Sequence, residues 1–266
     1  MREIIFNAKS GFSTGANFSI SQPLQSFESF LEAKTLDELA VLVCQAARSL
    51  GFEYFLYVMW LDAPRFRGKA AEPLQFIFNG YPEVWIEIYR KRDYLSIDPV
   101  IEHCGCKATP LVWRDEIFDT PVRRELWEDA CGAGLASGVS VPLRGSFGES
   151  GLFSMANSCG NVAAARHCVD AADKAYLLSA YLHEALRILA FQPAGYALRE
   201  RPGLTPHERE CLVCWADGLT ANGIAGLLKL SERTVRFHLE NVKNKLDVCG
   251  KGRAIAHAKQ WGLIRR

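Results

Sequence analysis

The chain holds 266 residues, 49% apolar and 23% charged, with 31 Lys and Arg against 30 Asp and Glu. That composition excludes collagen-like and disordered chains, and the length fits one large domain or two unequal ones. No apolar run reaches the roughly 18–20 residues of a bilayer crossing, so no membrane partner is expected.

In chain order, residues 1–7 lack the apolar core and small-residue cleavage site of a signal peptide, which points to a cytoplasmic protein. Helices are expected at 24–33, 36–50, 82–93, 121–131 and 162–191. Strands are expected at 52–61 and 74–78, which are rich in β-branched and aromatic residues. Two more are expected at 137–143, which alternates, and at 151–156, which is apolar. A sheet covered by helices follows, an α+β fold. A phosphoacceptor receiver would need an acidic pair after its first strand, a lone Asp after its third and a repeating βα pattern; none is present.

The informative stretch of this front part is Tyr81-Pro82-Glu83-Val84-Trp85-Ile86-Glu87-Ile88-Tyr89, followed by Tyr94-Leu95-Ser96-Ile97-Asp98-Pro99. Tyr81, Trp85 and Tyr89 (or Ile88) recur every three or four residues and line one helix face. Each ring offers an apolar wall and a polar tip, and Asp98 offers a carboxylate acceptor. Such a set can hold a small ligand with an amide, a carbonyl and an apolar tail. On spacing alone an aromatic core helix, with Asp98 capping a helix that starts at Pro99, is the plainer reading.

Residues 192–203 contain two prolines, two glycines and charge without apolar periodicity, and read as a linker. Charge changes across it. Residues 203–266 carry 5 Lys and 6 Arg against 2 Asp and 4 Glu, a net +5, which leaves the rest at −4. A small basic domain behind a mildly acidic one points to nucleic acid as its partner; a solvated charged helix face is the plainer alternative.

In that basic part, Thr205-Pro206-His207-Glu208 spells a capped helix start, and Gly218 ends the helix. A second helix follows at 221–228, and a third at 232–246 behind Ser231. On the third, Val235, Leu239, Val242 and Leu246 fall within about 60° of each other and form the buried stripe. Arg233, Phe237, Glu240 and Asn244 point the opposite way, with Arg236 on their shoulder. Two helices joined by a short turn, the second presenting such a face, make a helix-turn-helix.

Nine cysteines, an odd number, scatter through apolar stretches and read as reduced packing thiols. Cys104-Gly105-Cys106 and the Cys211/Cys214 pair lack a second pair at zinc-site distance, so no metal is expected. An enzyme built on His103/Cys104 or Cys159/His167 would lack a third positioned group, and no catalytic residues are assigned.

The rear part resembles the LuxR-type helix-turn-helix, on Leu204-Thr205-Pro206-His207-Glu208-Arg209-Glu210, Gly218-Leu219-Thr220, Ile224-Ala225, Ser231 through His238, Lys245-Leu246 and Gly262-Leu263-Ile264. The resemblance implies that the 231–246 helix enters the major groove of promoter DNA. It implies a DNA-contacting set of Thr220, Ser231, Arg233, Thr234, Arg236, Phe237, Glu240, Lys243 and Asn244. A fourth helix at 251–261 would contact a second copy of the chain. Two departures stand out: Gly223 replaces a carboxylate before the Ile-Ala pair, and 249–253 differs from the usual Asn-Arg-Thr segment.

The front part resembles the autoinducer-binding domain of LuxR-type quorum-sensing regulators. Beyond the 81–99 segment, this rests on Thr109-Pro110-Leu111-Val112-Trp113, Gly138, Pro142-Leu143-Arg144-Gly145 and Gly151-Leu152-Phe153-Ser154. The resemblance implies an α/β/α sandwich with a five-stranded antiparallel sheet over 1–191, the linker at 192–203, and an all-α four-helix domain over 204–266. It implies an N-acyl-homoserine lactone as ligand and no cofactor. Trp85 would donate to the lactone carbonyl, Asp98 would accept from the amide, and Tyr81 and Ser154 would hold the acyl carbonyl. Trp113 would pack on the lactone ring, with Tyr89, Ile101, Phe118, Val139 and Leu152 around the chain. The implied partners are promoter DNA, a second copy of the chain and RNA polymerase. A solo regulator that reads another small molecule is the alternative, and a ligand-free DNA-binding protein a third.

Overall fold

The computed structural model describes residues 2–8, 23–61, 65–66, 69–70, 74–145, 149–191, 203–260 and 262–264. From the N-terminus the chain forms β1 (Arg2–Asn7), α1 (Pro23–Glu32), α2 (Leu36–Ser49), β2 (Tyr54–Leu61), β3 (Arg65–Phe66), β4 (Lys69–Ala70) and β5 (Leu74–Asn79). Then come α3 (Glu83–Lys91), α4 (Pro99–Cys106), β6 (Leu111–Val112), α5 (Pro121–Gly132), β7 (Ser137–Arg144), β8 (Ser150–Asn157), α6 (Val162–Asp170) and α7 (Ala172–Leu186). A π turn covers Arg187–Phe191. Four helices follow: α8 (Pro206–Ala216), α9 (Ala221–Leu228), α10 (Glu232–Leu246) and α11 (Lys251–Gln260). The chain divides into two units, the larger holding the main sheet with α1–α7 and the smaller holding α8–α11. The expected linker at 192–203 lies, but for Gly203, outside the described residues.

The sheet has six strands in the order β1-β5-β2-β8-β7-β6, not the five expected. The inner pairings from β5 to β6 are all antiparallel. The extra strand, β1, runs parallel to β5 from Arg2↔Leu74 to Asn7↔Asn79. Ile4 and Phe6 point to the core, and Phe6 stacks on Phe78 with ring centroids 5.3 Å apart. Parallel partners need a crossover, and residues 8–73 separate these two in sequence.

Strand alternation divides the side chains between two cores. Phe55, Tyr57 and Met59 of β2, Phe76 and Phe78 of β5, Val139 and Val141 of β7, and Phe153 and Met155 of β8 face the layer of α1, α2 and α7. Their alternates Val58, Ile77, Leu152 and Ala156 face the layer of α3, α4 and α5. The result is an α/β/α sandwich whose central strands are buried on both faces, which is why β7 and β8 read as apolar runs.

The stretch expected as one helix at 162–191 is two helices and a π turn, with Ala171 ending α6 and starting α7. His167 of α6 is bonded to the Leu50 carbonyl at the end of α2 (2.8 Å), while α7 packs on α1. Two different docking partners demand a bend that no Pro or Gly announces.

In the smaller unit Thr205 and Glu208 form the full capping box, with N–H to oxygen distances of 3.3 and 2.8 Å. Glu208 also takes the ammonium of Lys245 at 2.7 Å, tying the start of α8 to the end of α10. Burial opposes ionisation of Glu208, but Lys245 and the Thr205 amide together hold its carboxyl below the ordinary range. Thr220 still accepts from Gly223 N–H at 3.2 Å, so half of the second capping box survives the missing carboxylate. Among the described residues no helix is long and apolar enough to cross a membrane.

Candidate functional site

A cavity of about 270 Å³ lies between the sheet and α3–α5. Its floor is the sheet face of Leu56, Val58 and Trp60 from β2 and Leu152 and Ser154 from β8. Tyr81, Trp85 and Tyr89 reach it from α3 and the residues just before, Asp98 and Ile101 from the start of α4, and Trp113 and Phe118 from the segment around β6. The chain thus brings together every residue of the expected ligand set except Val139. That residue is one step out of register: its neighbour Ser140 turns toward the cavity side, so Val139 joins the opposite core. Residues not singled out from sequence also line the space, among them Leu56, Val58, Trp60 and Leu126. Period-two alternation in 54–61 was the available signal for the first three.

The polar groups form two sets. In the first, Asp98 is the helix cap read from the sequence and also lines the cavity. One carboxylate oxygen caps α4 by accepting from Val100 N–H (2.8 Å), and the other accepts from the Tyr89 hydroxyl (2.9 Å). Burial pushes the Asp98 carboxyl above its ordinary pKa, against the pull of these bonds. In the second, the Trp113 indole donates to Ser140 Oγ (2.8 Å), which shares a hydrogen bond with Ser154 Oγ (2.7 Å). Gly138 makes room for that indole, since a Cβ there would stand 2.8 Å from the Trp113 ring. The Tyr81 hydroxyl is buried without a hydrogen bond of ordinary length. Among the described residues the Trp85 indole N–H has none either, although Trp85 stacks on Tyr94 and meets Tyr89 edge-on. An apolar chamber with a buried carboxylate, a buried phenol and an indole N–H has the make-up of a small-molecule site.

In the smaller unit Val235, Leu239, Val242 and Leu246 of α10 are buried as the angular pattern requires. Arg233, Arg236, Phe237, Glu240 and Asn244 are exposed. Arg236 bonds Glu232 at 2.6 Å, and Lys243 pairs with Glu240. Arg233 has no ion-pair partner among the described residues. Thr220 and Ser231 cap α9 and α10, and Thr234 shares a 2.7 Å hydrogen bond with Ser231. Exposed helix N-termini and unpaired guanidinium groups are what phosphate and base contacts use. No group of three or more His, Cys, Asp or Glu side chains among the described residues could hold a metal.

Two family models match the chain: the autoinducer binding domain over residues 35–186, and bacterial regulatory proteins of the luxR family over residues 202–258. The chain belongs to the LuxR family. The transcriptional activator AnoR of Acinetobacter nosocomialis is 31% identical over 237 residues, covering 88% of this chain and 95% of AnoR. The quorum sensing-dependent transcriptional regulator RpaR of Rhodopseudomonas palustris is 34% identical over 201 residues, 74% of this chain and 78% of RpaR. Among solved structures, Escherichia coli SdiA has the same fold, with a TM-score of 0.62 at 24% identity over 93% of this chain and 99% of that one. A second SdiA structure is a complex with octanoyl-rac-glycerol, at 25% identity and a TM-score of 0.59 over 96% and 99% of the two chains. This LuxR-family chain is therefore a quorum-sensing transcriptional regulator, not an enzyme, with a small-molecule domain in front and a DNA-binding helix-turn-helix behind.

Proposed function

We propose that the chain binds an N-acyl-homoserine lactone in the cavity of residues 1–191 and promoter DNA, as a homodimer, through residues 204–266. The observation that carries the ligand class is the buried Asp98 carboxylate and the buried Tyr81 hydroxyl, near Ser154 but without a hydrogen bond of ordinary length, one an acceptor for an amide N–H and the other a donor to an acyl carbonyl. Trp85 would donate to the lactone carbonyl, Ser154 would support the acyl carbonyl, and Trp113 would pack on the lactone ring. Tyr89, Ile101, Phe118 and Leu152 would surround the chain.

A melting-temperature screen against lactones of varied acyl length tests this directly. Asp98→Asn and Trp85→Phe each remove one charge-assisted or buried hydrogen bond, and each is expected to weaken lactone binding roughly 10- to 150-fold. Arg236→Ala should leave lactone binding intact and weaken DNA binding. An Asp98→Asn protein that responds like the parent would refute the pocket assignment.

Dimer formation is supported by an apolar outer face on α6 and α7, where Val162, Val169 and Tyr176 are exposed. Capture of ligand would favour the folded dimer by mass action and set two α10 helices at half-site spacing, from which RNA polymerase is contacted.

One observation favours a second reading, a regulator that takes another acylated molecule. Tyr89 already donates to Asp98, so an ester without an N–H, like the acylglycerol in the SdiA complex, would leave no carboxylate oxygen without a donor. Mass spectrometry of ligand extracted from the expressed protein separates the two.

A further inference from the structure

We infer that Phe237 reads the 5-methyl group of thymine in the major groove; this rests on the proposal that α10 is the DNA-reading helix. Phe237 is 61% exposed, among the most exposed of the large apolar side chains described. On α10 it shares one stripe with Arg233, Glu240 and Asn244, because spacings of four, three and four residues return to the same face. Among the described residues of the smaller unit the ring contact of Phe237 is with its neighbour His238, at 5.9 Å.

The four side chains of the stripe differ in what they can recognise. Arginine forks onto the acceptors of guanine, asparagine pairs with adenine, and a carboxylate accepts from the amino group of cytosine. Thymine presents an acceptor and a methyl group, and the methyl is the apolar feature of the major groove that a phenyl ring can cover. The surroundings suit DNA better than a protein groove. Arg233 stands one turn before Phe237 without an ion-pair partner among the described residues, while the exposed Arg236 just before the ring is bonded to Glu232. The net +5 of residues 203–266, with Arg233 uncommitted beside the ring, suits a polyanion and does not match an apolar protein cleft.

The test selects duplexes from a random-sequence pool with the full-length protein, with and without N-octanoyl-homoserine lactone. Each thymine of the enriched sequence is then replaced by deoxyuridine, which removes the methyl and nothing else, and affinity is read by fluorescence anisotropy. At one thymine per half-site the replacement should weaken binding about fourfold, the factor that corresponds to one buried methyl. Phe237→Ala should bind the thymine and uracil duplexes alike at that position, while Arg233→Ala keeps the fourfold difference at lower overall affinity. Phe237 is a surface residue, so an unchanged melting temperature accompanies the variant. An enriched duplex that tolerates uracil at every position overturns the inference and leaves the helix-turn-helix reading standing. Failure to enrich any duplex overturns both.

Discussion

Asp98 carries the most chemistry for its size. It caps α4 and accepts from Tyr89, yet burial still raises its pKa. The sign of the pH dependence follows. In the ligand-free protein the raised carboxyl favours folding most below the ordinary carboxylate pKa, near 3.9, and that contribution is lost as pH rises through the folded value. A ligand amide donating to the ionised form works in the opposite sense. Lactone affinity should therefore be highest above the raised pKa and fall as pH drops through it, and Asp98→Asn should flatten the profile. Ligand titrations at a series of pH values measure both. Asn serves as well as Asp at a helix N-cap, so this variant removes the charge and keeps the cap. From sequence the capping and ligand-binding readings of Asp98 looked like alternatives; one carboxylate oxygen is the cap and the other accepts from Tyr89 at the cavity, so the two readings are compatible. Val139 was misplaced because alternation alone does not say which of two apolar faces is hollow, and both faces of β7 are buried.

At the scale of elements, periodicity located most of the helices and strands to within a residue or two. It missed β1, a single edge strand whose partner is far away in sequence, the two-residue strands β3, β4 and β6, and α4, whose eight residues from Pro99 are too few to show a period. It also ran α6 and α7 together. The face of the sheet away from the cavity holds a feature with a testable consequence. Tyr57 of β2 is bonded to His183 Nδ1 of α7 at 2.7 Å, and His183 Nε2 is buried with no hydrogen-bond partner among the described residues. Burial, with the nearby Arg187 cation, holds the His183 pKa down to about 4. Folding stability from a neutral histidine is complete above its unfolded value near 6.5 and is lost as pH falls toward about 4. Denaturant midpoints measured from pH 7 to 4 should fall more steeply for the native protein than for His183→Gln, by up to about 3 kcal/mol. In the smaller unit Glu208→Gln weakens the Lys245 bridge and the capping box together, and thermal unfolding should show a loss of about 1–3 kcal/mol. Gly138→Ala drives a methyl against the Met155 carbonyl and the Trp113 ring and should lower lactone affinity, as ligand titration would show.

For the molecule as a whole, the division of labour was readable because charge, linker composition and the two motif sets change at the same place in the chain. Cavity residues from β2 were harder to find, since they carry no motif and are only apolar residues at alternate positions. A ligand that fills an apolar chamber and binds only the folded form stabilises it by about 2.7 kcal/mol at one hundred times its dissociation constant. At roughly 2–4 °C per kcal/mol for a chain of this size class, the melting temperature should rise by about 5–10 °C. Scanning calorimetry with and without lactone checks this, and no shift with any acyl length would refute ligand capture in the core.

The parallel strand β1 bears on how the protein is handled in the laboratory. Glu3 borders the chamber, and its carboxylate is paired with Arg90 of α3 at 3.0 Å. An affinity tag or fluorescent fusion joined ahead of Met1 would hang from the rim of the compartment being assayed. Such a fusion would put added chain next to β1, whose Glu3 lines the chamber. Binding rates measured on an N-terminally tagged preparation should differ from those of the cleaved protein, and the discrepancy would report on the doorway rather than on the chemistry within.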